Sequence, residues 1–166
     1  MSAQPAIGIL MGSDSDWPVM EEAAKICDQF GVACEARVIS AHRRPEDCAE
    51  YARSARQRGL KVLIGGAGGA AHLAGVLAAH TTLPVVAVPI PTGLSGGLDS
   101  LLSMVQMPPG VPVATVGVGR AGNAALLALQ MLALSDAGLA EKLAAYKREL
   151  AQKGEAADRK VQAARG

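Results

Sequence analysis

The chain has 166 residues, a length typical of one globular domain with a proper hydrophobic core. Half of the residues are apolar and 19% are charged, with both signs mixed to a net charge of +1, which argues against intrinsic disorder. One Trp, two Tyr and one Phe in a near-neutral chain provide neither the basic surface nor the stacking platform of a nucleic-acid-binding protein.

Membrane and secretory signals are not expected either. Glycines or histidines interrupt the longest apolar runs well short of a membrane span, and MSAQPAIG has no basic region followed by an apolar core. Cys27, Cys34 and Cys48 are odd in number and lack CxxC spacing, so we interpret them as reduced packing residues. We therefore expect a cytoplasmic protein.

Short apolar runs alternate with helical patterns along the chain. The first run, AIGILM, is continuous, as in a strand buried on both faces, and the next segment repeats apolar residues at helical spacing up to Gly31. The apolar runs predict five strands, at residues 6–11, 33–39, 62–65, 84–88 and 113–118. The helical patterns predict five intervening or following helices, at residues 16–30, 45–58, 70–80, 98–106 and 123–134. This alternation predicts a parallel sheet with right-handed crossovers and helices on both faces.

The chain changes character after Ser135. Residues 138–150 are compatible with a further helix, and residues 151–166 form a polar, alanine-rich tail that either frays or docks on a neighbouring subunit. We therefore predict a single α/β domain at residues 1–150 and a C-terminal tail at residues 151–166.

The unusual residues cluster at one predicted edge of the sheet. Ligands of open parallel sheets bind outside the carboxyl ends of the strands. The loops expected there are GSDSD, SAHRR, GGAGGAAH and PTGLSGG, whereas plain connections such as QRGLK lie at the opposite edge. This asymmetry predicts a small-molecule site.

Two of these loops have more than one interpretation. Residues 12–16 provide a helix N-cap, and their remaining polar groups suit a phosphate or a ribose diol. Residues 66–71 match the dinucleotide pattern G-x-G-x-x-A, but no Asp or Glu occurs between Glu50 and Asp99 to hold a ribose, so that interpretation fails. The glycines would instead allow the backbone to approach a flat ligand closely.

The histidines are not spaced as a zinc site, and no metal site is predicted. His80, at the end of an apolar helix, is interpreted as a packing or helix C-terminal residue. His72 fits a structural role and a site role equally well. His42 is the best candidate for a proton carrier, and Arg43 beside it suits a phosphate. A solvent-exposed loop without a function is an equally good interpretation of the sequence SAHR.

Linked motifs decide between these alternatives. MGSDSDW, SAHRRP, GAGGAAHL, LSGGLDSLLSMVQMPPGVPVATV and GNAALLALQML occur in this order, over about residues 7–134. Together they resemble the class I N5-carboxyaminoimidazole ribonucleotide mutases of purine biosynthesis. The resemblance implies a three-layer flavodoxin-like sandwich with a central parallel sheet, assembled as a homo-octamer. It also implies a transfer of the carboxyl group from N5 to C4 of aminoimidazole ribonucleotide without ATP, metal or biotin, and thus no cofactor.

The resemblance assigns roles to individual residues. His42 corresponds to the catalytic proton carrier, Arg43 to the phosphate ligand, and Ser13 and Asp16 to substrate-binding residues. It also places the histidine of GGAAHL, which is His72, at the site. The remaining expected substrate contacts come from the same loops, at Ser40, Gly68, Gly69 and Ala70.

The sequence departs from the family pattern at several positions. Arg44 stands where the family usually has Thr, Ala74 stands where it has Pro, and the segment at residues 119–123 is shorter than usual. The loop at residues 92–97 also differs in detail. None of these departures removes a catalytic position, but they could alter loop closure over the substrate.

Two other functions remain open from the sequence. One is a related carboxylase that takes free CO2 or bicarbonate, although Arg43 and His72 favour the mutase class. The other is a non-enzymatic flavodoxin-like module. A phospho-acceptor would need an Asp where the chain has Gly65 and Gly66, and a flavin carrier would need aromatic residues that the chain lacks.

Overall fold

The computed structural model describes residues 4–165. Its sheet is fully parallel and has five strands in the order β2-β1-β3-β4-β5. The strands are β1 (Ile7–Met11), β2 (Cys34–Val38), β3 (Val62–Ala67), β4 (Val85–Pro89) and β5 (Ala114–Thr115). The helices are α1 (Trp17–Phe30), α2 (Pro45–Ser54), α3 (Leu73–His80), α4 (Leu98–Val105), α5 (Ala121–Ala133) and α6 (Ala137–Ala163).

The sheet is covered on both faces, as the unbroken apolar runs of the strands predict. Every residue of β1, β3 and β4 is buried, while residues 36–38 of the edge strand β2 are exposed. Buried side chains of α2, α3 and α4 form one core with residues of β1, β3 and β4. Helix α1 packs elsewhere, with Met20 close to Gly66 and Ile26 close to Gly122 of α5. The predicted parallel three-layer architecture is confirmed.

The chain forms two compact units, with the boundary between Met131 and Leu132. The first unit holds the sheet and the helices that pack on it. The second consists mainly of α6, which Asp136 caps by accepting a hydrogen bond from the Leu139 N–H at 2.9 Å. Within residues 4–165, no helix combines the length and apolarity that a membrane span requires.

Helix α6 differs from the prediction by running through residue 150 to Ala163. Ala, Glu, Lys, Arg and Gln all favour a helix, and the single Gly154 costs only about 1 kcal/mol, which does not end it. The change in composition at residue 151 is therefore no change in secondary structure. The division into a domain at residues 1–150 and a tail at residues 151–166 stays a prediction.

Three other boundaries differ for local reasons. Helix α2 ends at Ser54 rather than residue 58, because residues 55–59 form turns that close at the left-handed Gly59. Helix α3 begins at Leu73 rather than residue 70, because Ala71 has a φ of +47°. Strand β5 has only two residues, beside a strand that ends in Pro89, which has no N–H for the ladder.

The cysteines lie where the sequence interpretation placed them. Cys27 and Cys48 are buried, Cys34 is half-buried, and all three are free thiols. A hydrogen bond between Cys27 and Cys34 raises the pKa of the Cys27 thiol and lowers that of Cys34.

Candidate functional site

A cavity of about 390 Å³ opens at the carboxyl ends of β1, β2 and β3. This is the position at which the strand order reverses, between β1 and β3, and where doubly wound sheets bind their ligands. The residues that line it come from the three loops that follow these strands: Gly12, Ser13, Asp16, Ser40, Ala41, His42, Arg43, Ala67, Gly68, Ala71, His72 and Leu73.

The loop after β1 is held by a reciprocal capping arrangement. Ser13 accepts a hydrogen bond from the Ser15 N–H at 3.3 Å, and Asp16 accepts one from the Ser13 N–H at 3.1 Å. Burial raises the pKa of Asp16, although backbone hydrogen bonds from Ser13 and Gly12 and the charge of Arg43 oppose that shift. Asp16 therefore serves both as a loop cap and as a partly buried carboxylate in the cavity.

The loop after β2 folds around Ser40. The Ser40 hydroxyl accepts from the Arg43 N–H at 3.2 Å, and the Ser40 carbonyl accepts from the Arg44 N–H at 2.9 Å. Arg43 crosses to the neighbouring loop, where Nη2 donates to the Gly12 carbonyl at 2.8 Å. A guanidinium has five N–H donors, so this contact orients Arg43 and leaves most of its donors for an anion.

Arg44, one of the departures from the family pattern, does not line this cavity but lines an adjoining one of about 300 Å³ that shares Ser13, Ser40 and Arg43 with it. It forms an ion pair with Asp47 in the first turn of α2. The substitution therefore leaves the lining of the 390 Å³ cavity unchanged and alters only the adjoining one.

Two histidines from different loops meet in the cavity. His42 Nε2 lies 2.7 Å from His72 Nδ1, and the two rings stand edge to face, with centroids 4.8 Å apart and planes at 86°. At this distance one of the facing nitrogens donates and the other accepts, so one of them carries no proton. His72 directly precedes α3, and its contact with His42 was not anticipated from the sequence.

The loop after β3 is built from residues with unusual backbone conformations. Gly69 has a φ of +65°, and the buried Ala71 has a φ of +47°, a region that alanine rarely occupies. The loop is tied to α4 by Ser100, which accepts from the Gly69 N–H at 3.0 Å and donates to the Ile90 carbonyl at 2.9 Å. Nothing in the sequence singled out Ser100, whose importance depends on its complete burial.

The glycines at the end of β3 and in the loop after it have different roles from those expected. A Cβ at Gly66 would collide with Met20, and one at Gly65 would lie 3.3 Å from Ala74, so both glycines serve helix packing. Gly68 lines the cavity, whereas Gly69 and Ala70 belong to the loop but are not part of the lining. The sequence predicted the polar lining but not its apolar part, which comprises Ala41, Ala67, Ala71 and Leu73.

The site combines groups suited to a phosphorylated small molecule. A guanidinium such as that of Arg43 is suited to a phosphate, Ser13 and Asp16 offer hydrogen-bonding oxygens, and the two histidine rings are in contact. Of the predicted site residues, the structure brings His42, Ser13, Asp16, Ser40, Arg43, Gly68 and His72 together around one cavity.

The strand order, and the cavity at the carboxyl ends of β1 and β3, define a flavodoxin-like α/β protein with a small-molecule site. The family model for AIR carboxylase matches residues 6–153. The chain therefore belongs to the AIR carboxylase family.

Individual relatives agree with this assignment. The chain is 55% identical to an N5-carboxyaminoimidazole ribonucleotide mutase of Mycobacterium tuberculosis, over 96% of this chain and 91% of that protein. It is 60% identical to a mutase of the same name from Pyrococcus abyssi, over 88% of this chain and 84% of that protein. Among solved structures, Treponema denticola PurE superposes with a TM-score of 0.85 at 31% identity, over 94% of this chain and 98% of that one.

Proposed function

We propose that the protein is an N5-carboxyaminoimidazole ribonucleotide mutase, which moves the carboxyl group of its substrate from N5 to C4. The family membership and the names of the relatives support this function. The observation that carries it is the contact between His42 and His72, beside Arg43, in a cavity of the family's fold.

The reaction needs two proton transfers, one onto N5 and one from C4. Protonation of N5 breaks the N5–carboxyl bond and releases CO2, whereas formation of the C4–carboxyl bond requires removal of the C4 proton. A histidine that donates the first proton and accepts the second ends the cycle unchanged, so no other acid or base is consumed. We assign this role to His42.

The other cavity residues hold the substrate in this proposal. Arg43 binds the phosphate, Ser13 and Asp16 contact the nucleotide, and Ser40 and Gly68 complete the wall around the imidazole. His72 positions the His42 ring, because the 2.7 Å contact between them limits its rotation. Gly69 and Ala70, which are absent from the lining, would contact substrate only through their backbone.

The assay must separate this reaction from carboxylation by free CO2. Substrate labelled with ¹³C in its carboxylate is incubated with the purified protein and excess unlabelled bicarbonate. The mutase proposal predicts that the product keeps the label and that the rate does not depend on bicarbonate. A product without label, formed at a rate proportional to bicarbonate, would assign the protein to the carboxylases instead.

The role of His42 is tested in the same assay. His42→Asn should retain the fold and substrate binding, since the residue is exposed, but should abolish turnover. His72→Asn, which retains a hydrogen-bonding side chain, should lower the rate less severely. Near-normal turnover by His42→Asn would remove His42 from the mechanism.

Assembly and location belong to the same proposal. We propose that the enzyme acts in the cytoplasm, without a cofactor, as a homo-oligomer whose expected size is an octamer. An apolar stripe on α4 supports assembly, since Leu98, Leu102 and Val105 share one helical face and are each about half exposed.

A further inference from the structure

A second cavity, of about 510 Å³, lies at the opposite edge of the sheet from the candidate site. It is formed where α2 and the following turn meet the end of α3 and the loop that leads into β4. Its lining consists of Arg53, Arg56, Gln57, Ala79, His80, Thr81 and Thr82. The proposed mutase reaction uses none of these residues.

The polar groups of this cavity are mainly donors. Arg53 Nη2 lies 3.4 Å from His80 Nδ1, and because a guanidinium only donates, Nδ1 is the acceptor in this contact. Arg56 Nη2 donates to the Thr82 hydroxyl oxygen at 3.1 Å, so the hydroxyl hydrogen remains available to another acceptor. Both contacts therefore fix the arginines and leave further N–H and O–H donors unused.

The cavity carries an uncompensated positive charge. Over residues 4–165, no Asp or Glu lines it and no ion pair joins Arg53 or Arg56 to a carboxylate. Two guanidinium groups without carboxylate partners, in a concave site, create a local field that favours an anion.

The negative end of α3 offers a simpler explanation for one of these charges. Cations near a helix C-terminus are stabilising by about 0.3–1 kcal/mol. Within the described part of the chain, however, neither arginine donates a hydrogen bond to a carbonyl of α3; they contact the side chains of His80 and Thr82 instead. The helix end alone therefore does not account for the arrangement.

We infer that this cavity binds a small phosphate-bearing anion. Paired guanidinium forks and a hydroxyl suit the several oxygens of a phosphate group, and the volume lies in the range of small-molecule sites. Among the described residues no Phe, Tyr or Trp lines the cavity, so we take the phosphate rather than a base as the recognised group. Helix α3 separates His72 from His80 by eight residues, about 12 Å at 1.5 Å per residue, so this site is distinct from the substrate cavity.

Titration calorimetry with inorganic pyrophosphate tests this inference on the full-length protein. Arg53→Gln/Arg56→Gln keeps side-chain length and hydrogen bonding but removes both charges, and both residues are exposed, so the fold should be retained. We expect its affinity for pyrophosphate at this site to fall at least about tenfold. Arg148→Gln/Arg159→Gln is the matched control, since it makes the same change in net charge on exposed positions of α6 and should not alter binding.

Arg43→Ala separates this site from the substrate cavity. Pyrophosphate binding that persists in Arg43→Ala but is lost in Arg53→Gln/Arg56→Gln supports the inference, whatever the outcome of the mutase assay. Equal affinities of Arg53→Gln/Arg56→Gln and the unmodified protein, loss only in Arg43→Ala, or no binding would each overturn it.

A parallel titration with ADP identifies the source of the phosphate. Equal affinities for ADP and pyrophosphate would point to recognition of the phosphate alone, and tighter binding of ADP would point to a nucleotide. In both cases the inference requires that Arg53→Gln/Arg56→Gln weakens the interaction.

Discussion

Asp16 has two roles that oppose each other energetically. Its carboxylate caps the loop after β1, and the same burial that brings it into the cavity disfavours its charge. A partly desolvated carboxylate binds a hydroxyl more strongly than a solvated one does, but the folded protein is less stable when that carboxylate is ionised.

Asp16→Asn should therefore weaken substrate binding without lowering the stability of the fold. The folded-state pKa of Asp16 lies above its ordinary value of 3.8, so ionisation lowers the stability of the fold once the pH rises past that value. Asn keeps an oxygen for the Ser13 N–H and carries no charge. We expect thermal denaturation at pH 7 to show an equal or higher Tm for Asp16→Asn, with weaker substrate binding.

The same comparison in acid provides the control. Near pH 3 the Asp16 carboxyl is mostly protonated in both states, so any gain in Tm of Asp16→Asn over the unmodified protein should be smaller than at pH 7. Asp14→Asn, in the exposed part of the same loop, should show no such gain at pH 7. A lower Tm of Asp16→Asn at pH 7 would contradict the proposed cost of burial.

Arg43 and Arg44 are adjacent in sequence but lie in different environments. Arg43 reaches the cavity and the Gly12 carbonyl, while Arg44 pairs with Asp47. Arg43→Ala should raise KM by roughly 30-fold, equivalent to about 2 kcal/mol for a charge-assisted phosphate contact. Arg44→Ala, which removes the same charge one residue away, should leave KM within about twofold. Steady-state kinetics of the two variants would decide this, and similar KM values would place the phosphate elsewhere.

At the scale of elements, a polar cluster fastens α2 to the edge of the sheet. The Tyr51 hydroxyl donates to Glu35 of β2 at 2.6 Å, and Arg58 pairs with Glu35 while its guanidinium lies 4.9 Å from the Tyr51 ring centroid. Burial opposes ionisation of Glu35, but the hydrogen bonds from Tyr51 and Arg58 outweigh it and lower the pKa of Glu35. The cluster therefore stabilises the fold when Glu35 is ionised.

Tyr51→Phe should destabilise the protein by about 1.5 kcal/mol at pH 7, because it removes a buried hydrogen bond to a charged group. The depressed pKa of Glu35 contributes stability above its ordinary value of 4.5, and this contribution is lost as the pH falls through the folded-state value. The difference in unfolding free energy between Tyr51→Phe and the unmodified protein, measured with urea, should therefore become smaller in acid. In a double-mutant cycle with Glu35→Gln, additive effects of the two changes would contradict a direct coupling.

Elements that are determined by a local sequence pattern were predicted well, and boundaries that depend on backbone conformation were not. Continuous apolar runs were enough to predict β1, β3 and β4, because a strand buried on both faces needs no polar residue. The start of α3 and the length of β5 were predicted wrongly. Both depend on backbone features, the left-handed Ala71 and the missing N–H of Pro89, whose effects appear only once neighbouring strands are in register.

For the candidate site, the sequence predicted which residues take part but not how they contact one another. Its polar residues stand directly after strands, so the sequence places Ser13, His42 and His72 at one edge of the sheet. Their mutual geometry was not available, since the contact between His42 and His72 spans 30 residues. The supporting role of Ser100 was hidden for the same reason.

At the scale of the whole molecule, the surface retains apolar area that a monomer would expose to water. The stripe formed by Leu98, Leu102 and Val105 of α4 lies at spacings of four and three residues, with each side chain about half exposed. A net charge of +1 adds little repulsion between copies. These features favour self-association.

Light scattering should accordingly give a mass several times the chain mass of 16.9 kDa. Leu102→Lys should shift the protein towards smaller species with an unchanged circular dichroism spectrum, because the charge is solvated in the monomer and buried in an assembly. Asp28→Lys, on the exposed side of α1, should leave the mass unaltered. An active species of about one chain mass would contradict the proposed oligomer.

Ala71 has a consequence for how the protein meets its ligand. A left-handed alanine costs about 1 kcal/mol or more, and the buried contacts of Ala71 within the fold offset that cost. The free energy needed to shape this wall of the cavity is thus spent during folding. The arriving ligand finds a preorganised surface with little conformational entropy left to lose, so more of its intrinsic contact energy becomes affinity.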